Sequence, residues 1–121
     1  MRISEKEKQA RMLFQQKINQ ECVDEFRGAL QELEEARISI NGYLMYSKFH
    51  KFLHCQASYI HTRNYTILLS YDTIVCVINR NNMIAYDFLR YVYGYTATSA
   101  QHITKFIRYF DAKEKYTYRV I

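Results

Sequence analysis

The run YTILLSYDTIVCVI, residues 65–78, decides the fold class of this chain. It contains two segments rich in β-branched and other apolar residues, YTILLS (65–70) and TIVCVI (73–78), and such segments are typical of strands. The polar cluster NRNN (79–82) follows, and clusters of this kind form turns. TIVCVI and the next apolar run, MIAYDF (83–88), are therefore predicted to pair as a hairpin.

Two further segments set the expected size of the sheet. KYTYRVI (115–121) alternates in polarity and predicts an edge strand. YLMYSKFHKFLH (43–54) has an aromatic content that suits a strand, but the spacing of Tyr46, Phe49 and Phe52 favours a short helix. We expect a small antiparallel sheet of about three to five strands.

A helix is predicted over TSAQHITKFIRYF (98–110), where it would pack on the sheet. Thr98 and Gln101 form a capping-box pattern at its start. Apolar residues then recur at i, i+3, i+4 and i+7, which predicts an amphipathic helix. These residues are Ile103, Phe106, Ile107 and Phe110. Lys105 and Arg108 lie off this stripe.

The N-terminal segment, residues 4–37, is predicted to be one long helix or a helix pair. Ser4 and Glu7 form a capping-box pattern, and apolar residues then recur every three or four positions. A straight helix of this span would be on the order of 50 Å long, more than a core of this size needs. Either the helix breaks near Gly28, or part of it projects and packs on a second copy or another partner.

Composition and charge indicate one α+β domain, residues 1–121. The chain has no Pro and 3 Gly, which argues against linkers between domains. Residues 1–37 carry 7 Lys/Arg and 8 Asp/Glu, whereas residues 38–121 carry 10 Lys/Arg and 4 Asp/Glu. We therefore expect a helical N-terminal segment (4–37) followed by a basic α+β module (38–121).

The cysteines indicate a reducing compartment. Cys22, Cys55 and Cys76 are odd in number and widely spaced, which favours a reduced, cytosolic chain. Cys22 and Cys76 fall on apolar patterns, so both are expected to be small core residues. Since no apolar run approaches the length that spans a membrane, we expect a cytoplasmic protein without membrane contact.

No pattern of catalytic or cofactor-binding residues stands out. His50 and His54 would share a helix face beside Cys55, but the segment is basic and lacks the further ligands that zinc needs. There is no glycine-rich phosphate loop. His102 is expected to be structural and to hydrogen-bond a group in the loop before its helix. We therefore expect neither a metal nor another cofactor, and no enzyme.

Two sets of charged residues are candidates for partner contacts. The basic set is interleaved with tyrosines, so it can contact phosphates and bases, or a protein. Its members are Lys48, Lys51, Arg63, Lys105 and Arg108. The acidic set is expected on the outer face of residues 20–36. Its members are Glu21, Asp24, Glu25, Glu32 and Glu35.

The acidic set has several possible roles. It can dock on a partner protein, where it would compete for the nucleic-acid groove of a nuclease. It can also pair with the basic half of a second copy in a dimer. The plainer alternative is that both charged sets are ordinary solvated surface.

Two motifs carry a resemblance. Residues 68–75, LLSYDTIV, fit the pattern L-x-S-Y-x-T-x-V. Residues 95–107, YTATSAQHITKFI, follow Y-S-x-T-T-x-x-H-I-x-x-F-L, with Thr96 in place of Ser and Ser99 in place of the second Thr. In these stretches the chain resembles a family of small phage and prophage proteins that has no assigned activity. The resemblance implies a phage-like origin and a small sheet capped by a helix.

Small phage proteins often block a host defence nuclease, as anti-CRISPR proteins do. The resemblance therefore implies a non-enzymatic inhibitor that binds such a nuclease in the bacterial cytoplasm. Two alternatives stay open. One is a small DNA- or RNA-binding accessory or regulatory protein that uses the basic set. The other is a homodimeric structural protein joined through the N-terminal helix.

Overall fold

The computed structural model describes residues 4–52, 56–92, 96–110 and 117–120. In chain order its elements are α1 (Glu5–Glu35), β1 (Ser39–Ile40), β2 (Tyr43–Leu44), a 3₁₀ turn (Tyr46–Lys48), β3 (His50–Lys51), β4 (Ala57–His61), β5 (Tyr65–Ser70), β6 (Thr73–Asn79), β7 (Ile84–Asp87), α2 (Leu89–Val92), α3 (Ala97–Phe110) and β8 (Thr117–Val120). The predicted α+β class, with a long N-terminal helix and a C-terminal helix, is confirmed. The predicted strands at 65–70 and 73–78 and the hairpin that follows them are confirmed as well.

The main sheet is larger than predicted and is mixed. Its six strands lie in the order β3-β4-β5-β6-β7-β8, and β1 and β2 form a separate two-stranded sheet. Neighbours from β3 to β7 are antiparallel, whereas β8 runs parallel to β7. The prediction of a purely antiparallel sheet is therefore wrong at the β8 edge. The chain passes through α2 and α3 between these two strands, and a long crossover of this kind is what parallel neighbours need.

The short helix expected over residues 43–54 is wrong for the described part of that segment, which is extended apart from the 3₁₀ turn. Phe49 packs in the core beneath α1, while Phe52 packs in the core beneath α3, on the opposite face of the sheet. Side chains three residues apart share a face in a helix but point to opposite faces of a strand. This alternation is one reason that the sheet gains an extra strand, β3.

α1 lies across one face of the sheet and extends beyond it. It runs through Gly28 without a break for 31 residues, which is about 46 Å at the usual rise per residue. Its C-terminal half carries the buried residues of the first core, including Cys22, Ala29 and Leu33. Every residue from 4 to 17 is exposed. Of the two alternatives, the projecting helix is therefore the observed one.

α3 covers the opposite face, as predicted. Ile103 and Phe106 are buried in the second core, and Ile107 and Phe110 pack at its margin. Leu68 of β5 belongs to this core, whereas its neighbour Ile67 belongs to the core under α1, as the alternation of a strand requires. None of the described helices is long and apolar enough to cross a membrane.

Both long helices begin at a hydroxyl cap. The Ser4 hydroxyl oxygen accepts a hydrogen bond from the Glu7 N–H at 3.2 Å, which confirms the predicted start of α1. At the start of α3, the Thr96 hydroxyl oxygen accepts a hydrogen bond from the Ser99 N–H at 3.2 Å. The cap predicted at Thr98 is therefore wrong, because Thr98 already lies inside the first turn of the helix.

Candidate binding surfaces

Two carboxylates in the middle of α1 bind tyrosine hydroxyls of the sheet. Glu21 accepts a hydrogen bond from the Tyr86 hydroxyl at 2.8 Å. Glu25 accepts one from the Tyr65 hydroxyl and another, at 3.0 Å, from the Asn79 side-chain amide. Burial and the hydrogen bond to the carboxylate raise the pKa of both tyrosines, so the hydroxyls remain protonated donors.

A third carboxylate, Glu32, holds the turn between β4 and β5. It accepts hydrogen bonds from the Thr62 hydroxyl at 2.8 Å, from the Asn64 N–H at 2.8 Å and from the Asn64 side-chain amide at 2.9 Å. Burial opposes ionisation of this carboxyl, but the hydrogen bonds from Asn64 and Thr62 outweigh it and lower the pKa of Glu32. The carboxylate is thus a structural anchor of the turn.

The outer-face position predicted for the acidic set is wrong for Glu21, Glu25 and Glu32. Their spacing of four and seven residues places them on one side of the helix, which is the side that meets the sheet. Helix geometry therefore contained a signal for their orientation. The tyrosine partners lie 40 and 65 residues away in the chain, so the pairing itself has no local signature. Asp24 and Glu35 are exposed.

Arg63 lies apart from the rest of the basic set, whereas Arg108 follows Lys105 by about one turn of α3. Arg63 is exposed in the turn between β4 and β5, where its guanidinium pairs with Glu35 at 3.4 Å. Arg108 is exposed in the last turns of α3. The structure therefore does not gather the five predicted cations into one patch.

The other three cations lie near one end of the sheet. Lys51 lines a cleft beside Tyr71. Lys48 is in the adjoining 3₁₀ turn, and its amine donates to the Arg37 carbonyl oxygen at 3.4 Å. Lys105 follows His102 by one turn of α3, and its positive charge contributes to the lowered pKa of His102.

We call this end of the sheet the Tyr71 corner and define it by Tyr46, Lys51, Tyr71, Asp72 and Thr98. Tyr71 lines two clefts. The larger, of about 350 Å³, runs from the β5–β6 turn to the start of α3. The smaller, of about 200 Å³, lies between Tyr71, Tyr46 and Lys51. The corner thus offers an exposed aromatic ridge, the Tyr71 side chain, that borders two recesses.

Tyr71 occupies an unfavourable backbone conformation at this corner. Its φ is 58°, in the left-handed region, which is a genuine outlier for a bulky side chain. It stands in the two-residue turn between β5 and β6, where glycine or asparagine usually supplies a positive φ. Its ring is nevertheless 55% exposed.

A buried polar network supports the Tyr71 ring. The Ser70 hydroxyl oxygen lies 2.7 Å from the Ser99 hydroxyl oxygen and 2.8 Å from Nδ1 of His102. Burial, and next the charge of Lys105, lower the pKa of His102, which keeps the ring neutral. The centroid of that ring lies 5.9 Å from the centroid of Tyr71. His102 therefore acts structurally, but its partner is Ser70 on β5, not the loop that we expected.

The two described cysteines lie in the core. Cys22 and Cys76 are fully buried free thiols, which confirms their predicted place. Burial, with a further contribution from Glu21, raises the pKa of Cys22 to about 11. His54 of the histidine pair and its neighbour Cys55 lie outside the described residues. Among the residues that the structure describes, no cluster of three metal-ligating side chains occurs.

The projecting N-terminal part of α1, residues 5–17, forms an arm. Met12, Leu13 and Phe14 are 63%, 61% and 61% exposed on it. The arm carries four Lys/Arg and two Glu. Because they are consecutive, these three side chains point to different sides of the projecting helix.

Comparison of this chain with protein-family models, curated proteins and solved structures gives no match. The resemblance to small phage proteins therefore rests on the motif residues alone.

Proposed function

We propose that this chain is a non-enzymatic binding protein that meets a macromolecular partner at the Tyr71 corner. The observation that carries the proposal is the half-exposed Tyr71 ring on a backbone with a φ of 58°. Such strain is of order 1–3 kcal/mol, and it is common at ligand-binding positions. Glycine or asparagine would relax the turn, so a role for the ring outside the fold accounts for tyrosine at this position.

The buried network favours binding over catalysis. Ser70 is fully buried and His102 is 4% exposed, so the serine–histidine pair is packed as structure. This pair fixes the floor beneath Tyr71 and so holds the ring at one position. Rigid aromatic side chains are frequent anchors of protein interfaces, because they lose little conformational entropy on binding.

The partner that we propose is a protein, with a nuclease of a host defence system as the specific hypothesis. The inward position of Glu21, Glu25 and Glu32 removes three of the six acids of residues 20–36 from the outer surface that would imitate a nucleic acid. Inhibition would therefore proceed through the Tyr71 corner, with the nuclease receiving the aromatic ridge between its own side chains.

Nucleic acid is the second candidate partner, and one observation favours it. Lys51 lies beside Tyr46 and Tyr71 at the smaller cleft, and these tyrosines are 53% and 55% exposed. Cations next to accessible rings are what single-stranded nucleic acid needs for phosphate contact and base stacking. The affinity of such a complex falls steeply with salt, whereas an apolar protein contact does not.

Tyr71→Gly tests the proposal. We expect inhibition of the target nuclease, or binding of a single-stranded oligonucleotide, to fall by at least about tenfold, which is the loss of about 1.4 kcal/mol of contact. The thermal midpoint should stay equal or rise, because glycine accepts the positive φ. Tyr91→Ala is the matched control, since it removes a ring that is 54% exposed on α2.

Three outcomes would count against the proposal. The role of the corner is refuted if Tyr71→Gly binds its target as tightly as the unmodified chain does. The nuclease hypothesis fails if a large excess of protein leaves every tested CRISPR nuclease at its uninhibited rate. The nucleic-acid alternative fails if no oligonucleotide binds at low salt.

A further inference from the structure

The arm of α1 leaves the sheet over its β8 edge. Going from the C-terminal to the N-terminal half of α1, Glu32 contacts the β4–β5 turn, Glu25 contacts β5 and β6, and Glu21 contacts β7. Cys22 is within electrostatic reach of Arg119 on β8, and the helix contacts this strand. The residues before Ile18 therefore lie past the last strand. Thirteen helical residues extend about 20 Å.

β8 presents an open edge in the described part of the chain. It pairs with β7 on one side, and no described strand lies on the other. Its sequence, TYRV, has high strand propensity and neither proline nor lysine, the residues that commonly protect an edge. Tyr118 and Val120 are 46% and 36% exposed. Arg119 is the one charge of the strand, and it lies on the α1 side, in register with Tyr86.

We propose that this edge binds a second copy of the same chain. In the dimer, β8 pairs antiparallel with β8 of the second copy about a two-fold axis, and the two sheets become continuous. An axis of this kind is perpendicular to the sheet, so both α1 helices lie on the same face and run in opposite directions. Each arm then lies along the sheet-bound part of the α1 helix of the second copy.

The charges of α1 fit this arrangement. The arm carries four Lys/Arg and two Glu, whereas residues 18–35 carry six Asp/Glu and one Arg. Antiparallel helices place the basic part of each beside the acidic part of the other. Asp24, Glu34 and Glu35 are the exposed acids of this segment. One helix therefore carries both halves of the complementary surface, which an isologous contact requires and an unrelated partner does not.

The same arrangement covers the exposed apolar residues of the arm. Met12, Leu13 and Phe14 lie within two turns of Ile18, which is near the point where α1 passes the edge of the sheet. In the dimer they lie above the sheet of the second copy and beside its α1 helix. Burial of three large apolar side chains per copy is favourable by the hydrophobic effect.

The mass of the full-length chain in solution tests the dimer. Light scattering and sedimentation equilibrium between about 1 and 100 µM should give twice the 14.6 kDa chain mass. The arm variant Met12→Glu with Phe14→Glu should weaken the dimer at least tenfold. Both side chains are exposed, so the variant should keep its circular dichroism spectrum and its fold.

A second variant tests the strand edge. The Thr117 N–H donates to the Met83 carbonyl oxygen on the β7 side, at 2.9 Å. Successive N–H groups of a strand point to opposite sides, so the Val120 N–H points away from β7. Val120→Pro removes this donor from the open edge and should weaken the dimer at least tenfold. The control Val120→Thr keeps the donor and should dimerise like the unmodified chain.

Each other outcome overturns the proposal. A monomer mass at the highest concentration excludes the dimer. A mass that keeps rising with concentration indicates open association instead of a closed pair. A dimer that survives both the arm variant and Val120→Pro uses another surface. These results are independent of the Tyr71→Gly measurement, because the arm and β8 take no part in the Tyr71 corner.

Discussion

Gly28 lies in the middle of α1, where the absence of a side chain leaves room for the hydroxyl of Tyr65. A Cβ atom at this position would lie 2.6 Å from that oxygen. The Tyr65 ring is buried, and its hydroxyl is bonded to Glu25, so it has little freedom to move away. Glycine lowers the intrinsic stability of the helix but permits the helix to approach the sheet closely.

A double-mutant cycle isolates this contact. Gly28→Ala should reduce the free energy of unfolding by about 1–2 kcal/mol, because the clash exceeds the gain of about 1 kcal/mol in helix propensity. In a Tyr65→Phe background the hydroxyl is gone, and the same substitution should be neutral or stabilising by up to about 1 kcal/mol. Urea unfolding of the four proteins measures both effects, and equal effects in the two backgrounds would contradict the contact.

At the residue scale, the sequence predicts only part of these contacts. It marks Gly28 as a weak point of a helix but says nothing of the hydroxyl that needs the space. It likewise identifies Ser70 as a strand residue and His102 as a helix residue, 32 positions apart. Their hydrogen bond exists only because β5 and α3 pack face to face, and no local rule gives that pairing.

The helices and strands form at their predicted positions where the local sequence pattern is strong. β5 and β6 form within one residue of the positions that their β-branched composition predicts. α1 begins at its predicted serine cap. β3 has only two residues, which is too few for a propensity signal. β8 pairs in parallel with β7 across α2 and α3, and propensity alone does not encode such long-range pairing. α3 starts one residue earlier than predicted, because Thr96 and not Thr98 caps the helix.

The two threonines give a direct comparison. Thr96→Ala should lower the free energy of unfolding by about 1 kcal/mol, because the Ser99 N–H loses its acceptor at the start of the helix. Thr98→Ala should change it by less than about 0.5 kcal/mol, since Thr98 is exposed within the first turn. Thermal or urea unfolding of the two variants provides the measurement, and a larger loss at Thr98 would place the cap there instead.

The whole molecule is a mixed sheet between two helices that are attached in different ways. α3 is attached by an apolar stripe, with Ile103 and Phe106 buried in the second core. α1 combines an apolar stripe with the three carboxylates that bind the sheet. The interface between the sheet and α3 includes two histidines, His61 of β4 and His102 of α3, whose pKa values are lowered, in each case first by burial. Their protonation therefore affects the stability of the entire fold.

This gives the expected pH dependence. A histidine with a lowered pKa binds fewer protons in the folded chain than in the unfolded chain, where its pKa is about 6.5. The free energy of unfolding should therefore fall as the pH decreases through about 6.5 towards the folded pKa values. Denaturant unfolding between about pH 7.5 and pH 5 measures this slope. The double variant His61→Asn with His102→Asn should show a shallower slope over this interval, and an unchanged slope would contradict the assignment.

The three inward carboxylates of α1 also determine the position of the helix along its own axis, relative to the sheet. A nearly periodic apolar stripe tolerates a slide by one helical turn, because each apolar residue then takes the place of the next. The same slide would bring Lys17 to the position of Glu21 and Gly28 to the position of Glu32. A lysine would then face the Tyr86 hydroxyl, and Thr62 and Asn64 would lose their acceptor. The polar pairs therefore fix a single axial position of α1 on the sheet.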